Sequence, residues 1–384
     1  MGSPELPAGA IVCVVGARPN FMKMAPLLRA LASQAGAPPA LLVHTGQHYD
    51  HALSDQLFQD LGLPAPDVNL EVGSASHAVQ TAEVMRRFEP VIDQTQPSCV
   101  VVVGDVNSTL ACALVAAKKG VPVAHVEAGL RSYDRAMPEE INRVLTDQIS
   151  DLLYTTEHLA AANLAREGVS GERVHFVGNL MIDSLHAALP LARAPAQTLA
   201  AAGIEPEFVE RGYGLVTLHR PSNVDDPAAL AEVLDILADT SARLPLVWPV
   251  HPRTRAAIER AGLDARLGAM RLALLPPQGY LEMVGLMREA RVALTDSGGV
   301  QEETTALGVP CLTMRENTER PITLSEGTNT LVGRDRMYIA SLLDEILAGG
   351  GKHGRVPKGW DGQAAPRIAA HLTAWLAQRA TAHA

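Results

Sequence analysis

Acidic side chains directly follow several apolar runs of this sequence. Asp105 comes just after "CVVVV", Glu127 follows "VPVAHV", and Glu139 lies a short way further along, in "MPEE". Carboxylates that are held close together and partly desolvated have raised pKa values, so that one can donate a proton while another accepts one. His219, which follows "GLVTL", adds another acid–base group. These residue types indicate proton-transfer chemistry.

A second group of residues suits an anionic ligand. In "TDSGGVQEETTALG" a strand ends, Ser297-Gly298-Gly299 turns sharply, and a helix begins. The free backbone N–H groups of such a helix start, with no side chain at two positions, form an anion site suited to a diphosphate. Glu303 would repel a phosphate and better suits hydroxyls such as those of a ribose, whereas Arg320 supplies countercharge.

Each of these residues has an ordinary structural explanation when taken alone. Gly16 would make a tight turn, Asp105 or Ser108 would cap a helix, and Glu127 with Arg131 would form a surface pair. Polar residues nevertheless follow strand ends in both halves of the chain. Because the carboxyl ends of parallel strands meet at one edge of a sheet, we expect these residues to converge there.

The elements that must position these residues are strands and helices in alternation. Short apolar runs rich in β-branched residues predict strands buried on both faces. They span residues 11–15, 41–45, 99–103, 121–126, 152–156 and 174–178, and then 214–218, 246–250, 271–275, 291–295 and 310–314. Segments with helical spacing, such as "FMKMAPLLRALASQ", separate them. The alternation predicts an α/β fold with two doubly wound parallel sheets.

Length and composition bound the class of protein. A chain of 384 residues is expected to form two domains, and 47% hydrophobic with 19% charged residues is typical of a soluble globular protein. The formal charge of −10 argues against nucleic-acid binding. Four widely spaced cysteines, the absence of a basic leader and the absence of a long apolar run predict a cytoplasmic protein that neither binds nor spans a membrane.

Several sequence motifs do not apply. The chain lacks H-E-x-x-H, G-x-S-x-G and Walker A sequences, and a G-x-G-x-x-G match at Gly349 follows a helix-like segment, which predicts a helix C-cap and loop. His44, His48 and His51 invite a metal site, but the turn between them breaks any shared helical face. We interpret them as turn-lining residues and expect no metal.

At these residues the chain resembles the non-hydrolysing UDP-N-acetylglucosamine 2-epimerases. The resemblance rests on "GARPNFMKMAPL", "GDVNSTLA", "HVEAGLR", "MPEEINR", "TLHRPSNVDD", "PVHP", "LTDSGGVQEE" and "RENTERP", and it runs almost from end to end. It implies two Rossmann-like domains facing a cleft, as in the GT-B glycosyltransferases, a UDP-sugar substrate, homodimers, and no NAD or other cofactor.

The expected domain boundaries follow from the resemblance and from an Ala- and Pro-rich stretch that begins near residue 186. Residues 1–185 should form the N-terminal Rossmann-like domain that carries the acid–base residues. Residues 186–363 should form the C-terminal Rossmann-like domain that binds UDP. A final helix, 364–384, should cross back and pack on the N-terminal domain.

The resemblance also implies roles for individual residues. Substrate-binding positions are Arg18, His219, Gln278, Met283, Ser297, Gly298, Gly299, Glu303 and Arg320. Catalytic positions are Lys23, Asp105, Glu127, Glu139 and His219. Glu139 rather than Glu140 is chosen because it is the first glutamate after Pro138, which is the placement in the family.

The implied reaction breaks the C1–O bond to UDP first, because the C2 proton of the sugar is barely acidic before that step. An oxocarbenium-like centre acidifies this proton, and a carboxylate removes it to leave a 2-acetamidoglucal. UDP then adds back after protonation of the opposite face of C2. Proton transfer on opposite faces requires two acid–base groups.

Two departures and several alternatives remain open. Many bacterial members have Gln-His-Arg at a regulatory substrate site where this chain has Gln47-His48-Tyr49, and an aromatic residue that some members stack near uracil is Met283 here. The alternatives are 2-epimerisation of UDP-2,3-diacetamido-glucuronic acid, a glycosyltransferase of the same fold, a binding protein without turnover, and a hydrolysing relative that releases free sugar.

Overall fold

The computed structural model describes residues 6–46 and 58–383 of the chain. The chain divides into two compact units: unit 1 comprises Met1–His186 and Lys358–Ala384, and unit 2 comprises Ala187–Pro357. The chain therefore leaves unit 1 and returns to it near its end. Gln47, His48, Tyr49 and His51 lie outside the described residues.

In the described part of unit 1, seven parallel strands form one sheet, in the order β3-β2-β1-β4-β5-β6-β7. The strands are β1 (Ile11–Val15), β2 (Ala40–His44), β3 (Val68–Asn69), β4 (Cys99–Val103), β5 (Val123–Val126), β6 (Leu152–Thr155) and β7 (Val174–Phe176). The helices are α1 (Arg18–Ser33), α2 (His77–Thr95), α3 (Asn107–Lys118), α4 (Pro138–Ile149), α5 (His158–Arg166) and, at the unit boundary, α6 (Leu180–Ala188).

Unit 2 contains a second parallel sheet of six strands within the described residues, in the order β10-β9-β8-β11-β12-β13. The strands are β8 (Gly214–Thr217), β9 (Leu246–Pro249), β10 (Leu272–Leu275), β11 (Val292–Thr295), β12 (Cys311–Thr313) and β13 (Asn329–Leu331). Between them lie α7 (Pro195–Ala201), α8 (Pro221–Val224), α9 (Pro227–Arg243), α10 (Pro252–Arg260), α11 (Asp264–Leu267), α12 (Tyr280–Arg288), α13 (Gly298–Leu307), α14 (Pro321–Ser325) and α15 (Arg336–Leu347).

The predicted strands form where the sequence carries uninterrupted apolar runs. β1 and β4 are buried along their whole length, as expected of strands that helices cover on both faces. Between them α1 buries Phe21, Met24 and Leu27 at helical spacing. The prediction of two doubly wound parallel sheets is confirmed.

Two short strands were missing from the sequence prediction. β3 has only two residues, Val68 and Asn69, and β13 has three, Asn329–Leu331. Both lie at the end of their sheet, next to a single partner strand. Their polar residues and short length give no apolar run, so that pairing with a neighbouring strand alone defines them.

The last helix, α16 (Ala364–His383), belongs to unit 1. The carboxylate of Asp183 accepts hydrogen bonds from the backbone N–H groups of Ala364 (3.1 Å) and Ala365 (2.7 Å) and so caps the start of this helix. Trp360, which is 2% exposed, donates from Nε1 to the carbonyl oxygen of Thr156 at 3.0 Å. The chain is thus fixed in unit 1 before the helix begins.

Other sequence predictions have clear outcomes. All four cysteines are buried free thiols, and burial raises the pKa of Cys311 to about 11. The G-x-G-x-x-G match lies after α15, where Gly349 and Gly351 have positive φ, so it is the predicted helix C-cap and loop. Among the described residues, no helix is both long enough and apolar enough to cross a bilayer.

Two histidines meet where α16 covers the edge of the unit 1 sheet. The ring centroids of His175, on β7, and His371, on α16, are 3.9 Å apart. The hydroxyl of buried Tyr154 lies 3.0 Å from His371 Nδ1. Burial, and for His175 the neighbouring His371, lowers the pKa of both rings. Both imidazoles are therefore harder to protonate than an exposed histidine.

We predict that protonation of His175 contributes to destabilisation of unit 1 below neutral pH. Because the folded-state pKa is lowered, the contribution is complete above the ordinary histidine pKa of about 6.5 and is lost as the pH falls below that value and through the folded-state pKa. The free energy of unfolding, measured by urea titration across this range, should therefore fall less steeply in His175→Gln than in the unmodified protein.

His158→Gln is the matched control, because His158 begins α5 and is exposed. This variant should keep the slope of the unmodified protein. Equal slopes for all three proteins would show that protonation of the half-buried pair, His175 and His371, is not coupled to stability.

Candidate active site

Unit 1 carries polar residues at the switch point of its sheet, where β1 and β4 are neighbours. Asn20 and Lys23 lie on α1, which follows β1, whereas Asp105 follows β4 and Glu127 follows β5. Gly104, with a φ of +70°, lies among them. A Cβ on Gly104 would be 3.4 Å from Asn20 Nδ2, 3.6 Å from Glu127 Oε1 and 3.8 Å from Lys23 Nζ. The predicted convergence at one edge of the sheet is therefore present within unit 1.

Asn20 fixes the turn between β1 and α1. Its Oδ1 accepts hydrogen bonds from the N–H groups of Gly16 (3.1 Å) and Ala17 (2.9 Å), and its Nδ2 donates to the carbonyl oxygen of Val103 at 3.0 Å. One buried amide thus ties the start of α1 to the end of β4. This bond network sets where Lys23, one helical turn further along, emerges.

Lys23 and Glu127 form a buried ion pair. The Nζ–Oε2 distance is 2.5 Å, and the two side chains are 7% and 3% exposed. Glu127 also has a φ of +72°, a left-handed conformation that costs a non-glycine residue on the order of 1–3 kcal/mol and is concentrated at functional sites. A charged pair in strained, desolvated surroundings indicates a functional rather than a stabilising role.

Helix α4 holds Asp105. The guanidinium of Arg143 donates to Asp105 Oδ2 from Nη2 (2.5 Å) and Nε (3.1 Å), and Asn142 Nδ2 donates to the backbone carbonyl of Asp105 at 2.9 Å. Side chain and backbone are thus both fixed from one helix. The carboxylate keeps 24% of its surface exposed, so it remains accessible to a ligand.

Neighbouring glutamates of α4 have different environments. Glu140 is 3% exposed; its carboxylate accepts from the N–H groups of Ser132 and Tyr133, both at 2.9 Å, and from Arg143 Nη1 at 2.7 Å. The half-buried carboxylate of Glu139 has no hydrogen-bond or ion-pair partner in the described part of the chain. The loop before α4 and Arg143 therefore engage Glu140, whereas the predicted catalytic role of Glu139 stays a prediction.

Arg131 is buried, at 3% exposure, and not part of a surface pair. Its Nη2 lies 2.7 Å from Asp147 Oδ2 and 2.6 Å from Glu167 Oε2. No motif indicates this arrangement, because both partners of Arg131 are distant from it in the chain.

The switch point of unit 2 lies between β8 and β11. There Asp296, which is fully buried, accepts from the N–H groups of His219 (3.0 Å) and Arg220 (2.9 Å) and from Asn223 Nδ2 (3.1 Å). Burial alone would raise the pKa of Asp296, but the contacts with His219, Arg220 and Asn223 outweigh it and hold the pKa below the ordinary value. Asp296 Oδ1 also lies 3.1 Å from His219 Nδ1 and so orients the half-exposed imidazole.

Helix α13 begins at the end of β11, as predicted from Ser297-Gly298-Gly299. Ser297 is its N-cap and makes no side-chain capping bond. A Cβ on Gly298 would lie 2.7 Å from Glu319 Oε1, so a side chain at this position would displace the Glu319 carboxylate. Glu319 in turn lies 2.8 Å from Arg315 Nη2. This carboxylate beside the helix start was not predicted from the sequence, although it lies in the motif "RENTERP".

Glu303 and Arg320 are both buried and both engaged. Glu303 Oε1 accepts from the hydroxyl of Tyr280 at 2.8 Å, and Arg320 Nε lies 2.9 Å from Glu302 Oε1. Tyr280 was not predicted; it enters because α12 packs beside α13. These contacts fix the orientation of the carboxylate and of the guanidinium before any ligand binds.

The remaining predicted binding residues lie at the surface of their elements. Arg18 is the exposed first residue of α1, half-buried Gln278 donates from Nε2 to the carbonyl of Pro276 at 2.8 Å, and half-buried Met283 lies on α12. Their predicted contacts with substrate stay predictions.

His44, at the end of β2, is buried in apolar surroundings. Its ring centroid lies 5.1 Å from that of Phe21 in an edge-on arrangement, and burial lowers its pKa to about 4. Within residues 6–46 and 58–383, no group of three or more potential metal ligands occurs.

Comparisons with known proteins agree with this architecture. Residues 33–373 match a family model described as UDP-N-acetylglucosamine 2-epimerase. A protein of that name from Methanococcus maripaludis is 40% identical over 337 residues, which cover 87% of this chain and 90% of that protein. The UDP-2,3-diacetamido-2,3-dideoxy-D-glucuronate 2-epimerase of Pseudomonas aeruginosa is also 40% identical, over 370 residues that cover 94% of this chain and 99% of that protein.

Solved structures give the same result. The UDP-GlcNAc 2-epimerase of Methanocaldococcus jannaschii in complex with UDP-GlcNAc and UDP has a TM-score of 0.87 and 38% identity, covering 95% of this chain and 99% of that chain. The enzyme of Neisseria meningitidis bound to UDP-GlcNAc has a TM-score of 0.79 and 28% identity, covering 97% and 99%. The chain therefore belongs to the UDP-N-acetylglucosamine 2-epimerase family, a family of isomerases.

Proposed function

We propose that this enzyme interconverts UDP-N-acetylglucosamine and UDP-N-acetylmannosamine by elimination and re-addition of UDP, without releasing free sugar. The observation that carries the proposal is the convergence of acid–base groups at the switch point of unit 1. Lys23 and Glu127 pair at 2.5 Å beside Gly104, and the partly exposed Asp105 follows directly. Groups of this kind suit proton chemistry on a neutral sugar better than a binding role.

Unit 2 is proposed to hold the UDP part of the substrate. The start of α13 at Ser297-Gly298-Gly299 offers backbone N–H groups to the diphosphate, and Arg320 adds positive charge. The carboxylate of Glu303 accepts hydrogen bonds from the ribose hydroxyls, in addition to the hydrogen bond that it accepts from Tyr280. His219, oriented by Asp296, contributes a further donor. Donors fixed in advance stabilise the negative charge that develops on UDP as the C1–O bond breaks.

Unit 1 is proposed to move the proton at C2. Once the C1–O bond has broken, the electron-poor centre acidifies the C2–H bond, and a carboxylate removes the proton to give the 2-acetamidoglucal. Return of a proton to the opposite face inverts C2 before UDP adds back. Asp105, Glu127 and Glu139, with Lys23, supply more than one acid–base group, as opposite-face transfer demands.

A second candidate substrate is UDP-2,3-diacetamido-glucuronic acid. The Pseudomonas aeruginosa relative named for that sugar is as similar to this chain, at 40% identity, as the Methanococcus maripaludis relative. The same elimination and re-addition at C2 would apply. A glycosyltransferase is less well supported, because sugar transfer needs no second proton-transfer group at C2.

A homodimer remains the proposed assembly. Helix α4 exposes Ile141 (41%) and Leu145 (47%) one turn apart, an apolar face suited to a second copy of the chain. Light scattering of the purified protein measures its mass in solution directly.

We predict that the protein, incubated with UDP-N-acetylglucosamine alone in D2O, incorporates deuterium at C2 while the UDP-sugar stays intact. NMR of the C2 position follows both events. Exchange only with UDP-2,3-diacetamido-glucuronic acid would identify the second candidate as the substrate. Release of free sugar would indicate hydrolysis, and no exchange with either sugar would contradict the proposed function.

Asp105→Asn should abolish this exchange, because the amide cannot accept the proton, while the Kd for UDP changes little. Asp93→Asn is the matched control: its carboxylate is 59% exposed and pairs with Lys119 on the surface. It should leave both quantities unchanged. If Asp105→Asn weakens UDP binding as much as it slows exchange, the residue belongs to binding and not to proton transfer.

Glu303→Ala should weaken UDP binding about tenfold or more, since a hydrogen bond to a charged group contributes about 1.5–3 kcal/mol. Calorimetry with UDP and with 2′,3′-dideoxy-UDP measures the loss of affinity and also tests whether it arises from contacts with the ribose hydroxyls. The variant should lose affinity for UDP only. Tyr280→Phe, which removes one neighbouring bond and keeps the carboxylate, should have a much smaller effect; equal losses for both nucleotides would mean that Glu303 does not contact the ribose.

A further inference from the structure

One buried carboxylate connects the two loops that carry Asp105 and Glu127. Asp147, on α4, is 0% exposed; its Oδ1 lies 2.7 Å from His125 Nδ1, and its Oδ2 accepts from the N–H of Gly129 at 3.1 Å. His125 Nε2 donates to the carbonyl oxygen of Gly104 at 2.8 Å. Asp147 therefore reaches the loop after β5 directly and the loop after β4 through His125.

The connection is charged as well as hydrogen-bonded. Burial alone would raise the pKa of Asp147, but the adjacent His125 and Arg131 outweigh it and keep the pKa below the ordinary value. Arg131 continues the network to Glu167 at 2.6 Å. A buried anion that an arginine and a histidine both contact resists displacement, because losing its partners leaves an uncompensated buried charge.

Helix α4 carries three residues that together position the acidic groups of unit 1. Glu139, Arg143 and Asp147 are spaced four residues apart, so they lie along one face of the helix. The first is the predicted catalytic glutamate, the second binds Asp105 at 2.5 Å, and the third sets the backbone of both loops. One rigid helix thus carries Glu139 and holds the loops of Asp105 and Glu127, so it sets the distances between these three acidic groups.

We propose that Asp147 and His125 are positioning residues that hold Asp105 and Glu127 at the separation required for proton transfer on both faces of C2, an inference that rests on the proposed function. Neither side chain touches the substrate. Both act on the backbone of the catalytic loops: the turn at Gly104 and the turn at Gly129. A displacement of about 1 Å at a reacting group lowers a rate by roughly 100-fold, so small shifts of these turns are sufficient.

The test compares Asp147→Asn with Asp151→Asn in the full-length protein. Asp151 Oδ2 accepts from the N–H of Val123 at 2.9 Å, at the opposite end of β5. Both substitutions remove one carboxylate charge from a contact with the same strand. Only Asp147 contacts the end of β5 from which the catalytic loop begins.

We expect Asp147→Asn to lower kcat for C2 exchange by about 10–100-fold, with KM and the Kd for UDP changed by no more than about twofold. Asp151→Asn should keep kcat within about twofold. His125→Gln should resemble Asp147→Asn, and the double variant should be no slower than the slower single variant, because the two residues act through one connection. Equal kcat values for the two aspartate variants, a parallel loss of UDP affinity, or additive losses in the double variant would overturn the proposal.

Amide hydrogen exchange gives a readout that does not depend on activity. The peptide that contains Gly104 and the peptide that contains Gly129 should exchange faster in Asp147→Asn than in Asp151→Asn. If the unmodified protein acts on neither UDP-sugar, the proposed function fails and this comparison alone decides the positioning role. Unchanged exchange in both peptides would overturn it.

Discussion

The buried pair of Lys23 and Glu127 is the interaction on which the arrangement of unit 1 depends. Removing two charges from water costs several kcal/mol per ion, and a contact of 2.5 Å offsets that cost only while the geometry is maintained. An apolar pair of similar volume would stabilise the core at least as well. The surroundings maintain the pair: Asn20 fixes the start of α1, and both Gly104 and Glu127 have a left-handed backbone beside it. The free-energy cost of the buried charges and of the left-handed backbone favours a role of this pair in chemistry over a role in stability.

Unit 2 presents a different electrostatic problem. The start of α13 attracts anions, yet the carboxylates of Glu302, Glu303 and Glu319 are buried around it. Arg320 contacts the first and Arg315 the third, whereas Glu303 accepts a hydrogen bond from the hydroxyl of Tyr280. A diphosphate entering such a site would therefore meet carboxylates as well as guanidinium groups. This arrangement favours ligands that bring hydroxyl groups for the carboxylates as well as phosphates for the helix, as a nucleoside diphosphate does.

The sequence was sufficient to predict the fold and the strand ends that carry the candidate residues, because buried parallel strands leave uninterrupted apolar runs and their carboxyl ends share an edge. It was insufficient wherever a residue's role depends on a distant partner. Arg131 was open to interpretation as half of a surface pair, but it is buried against Asp147 and Glu167. The position of Glu319 beside Gly298 could not be predicted, because it depends on the path of a loop. The choice of Glu139 over Glu140 came from resemblance and stays a prediction; the loop bonds that distinguish the environment of Glu140 became visible only in three dimensions.

The return of the chain to unit 1 has a physical reason of the same kind. Asp183 and Ser184 are adjacent on α6; the first caps α16, and the second donates to the carbonyl oxygen of Met22 on α1. Helix α16 also packs against α1, with Ile368 and Leu372 fully buried. The helix that carries Lys23 is therefore held from one side by α6 and from another by the end of the chain. Since an ion pair at 2.5 Å tolerates little movement of either backbone, the C-terminal helix contributes to the position of Lys23 although none of its own residues belongs to the candidate site.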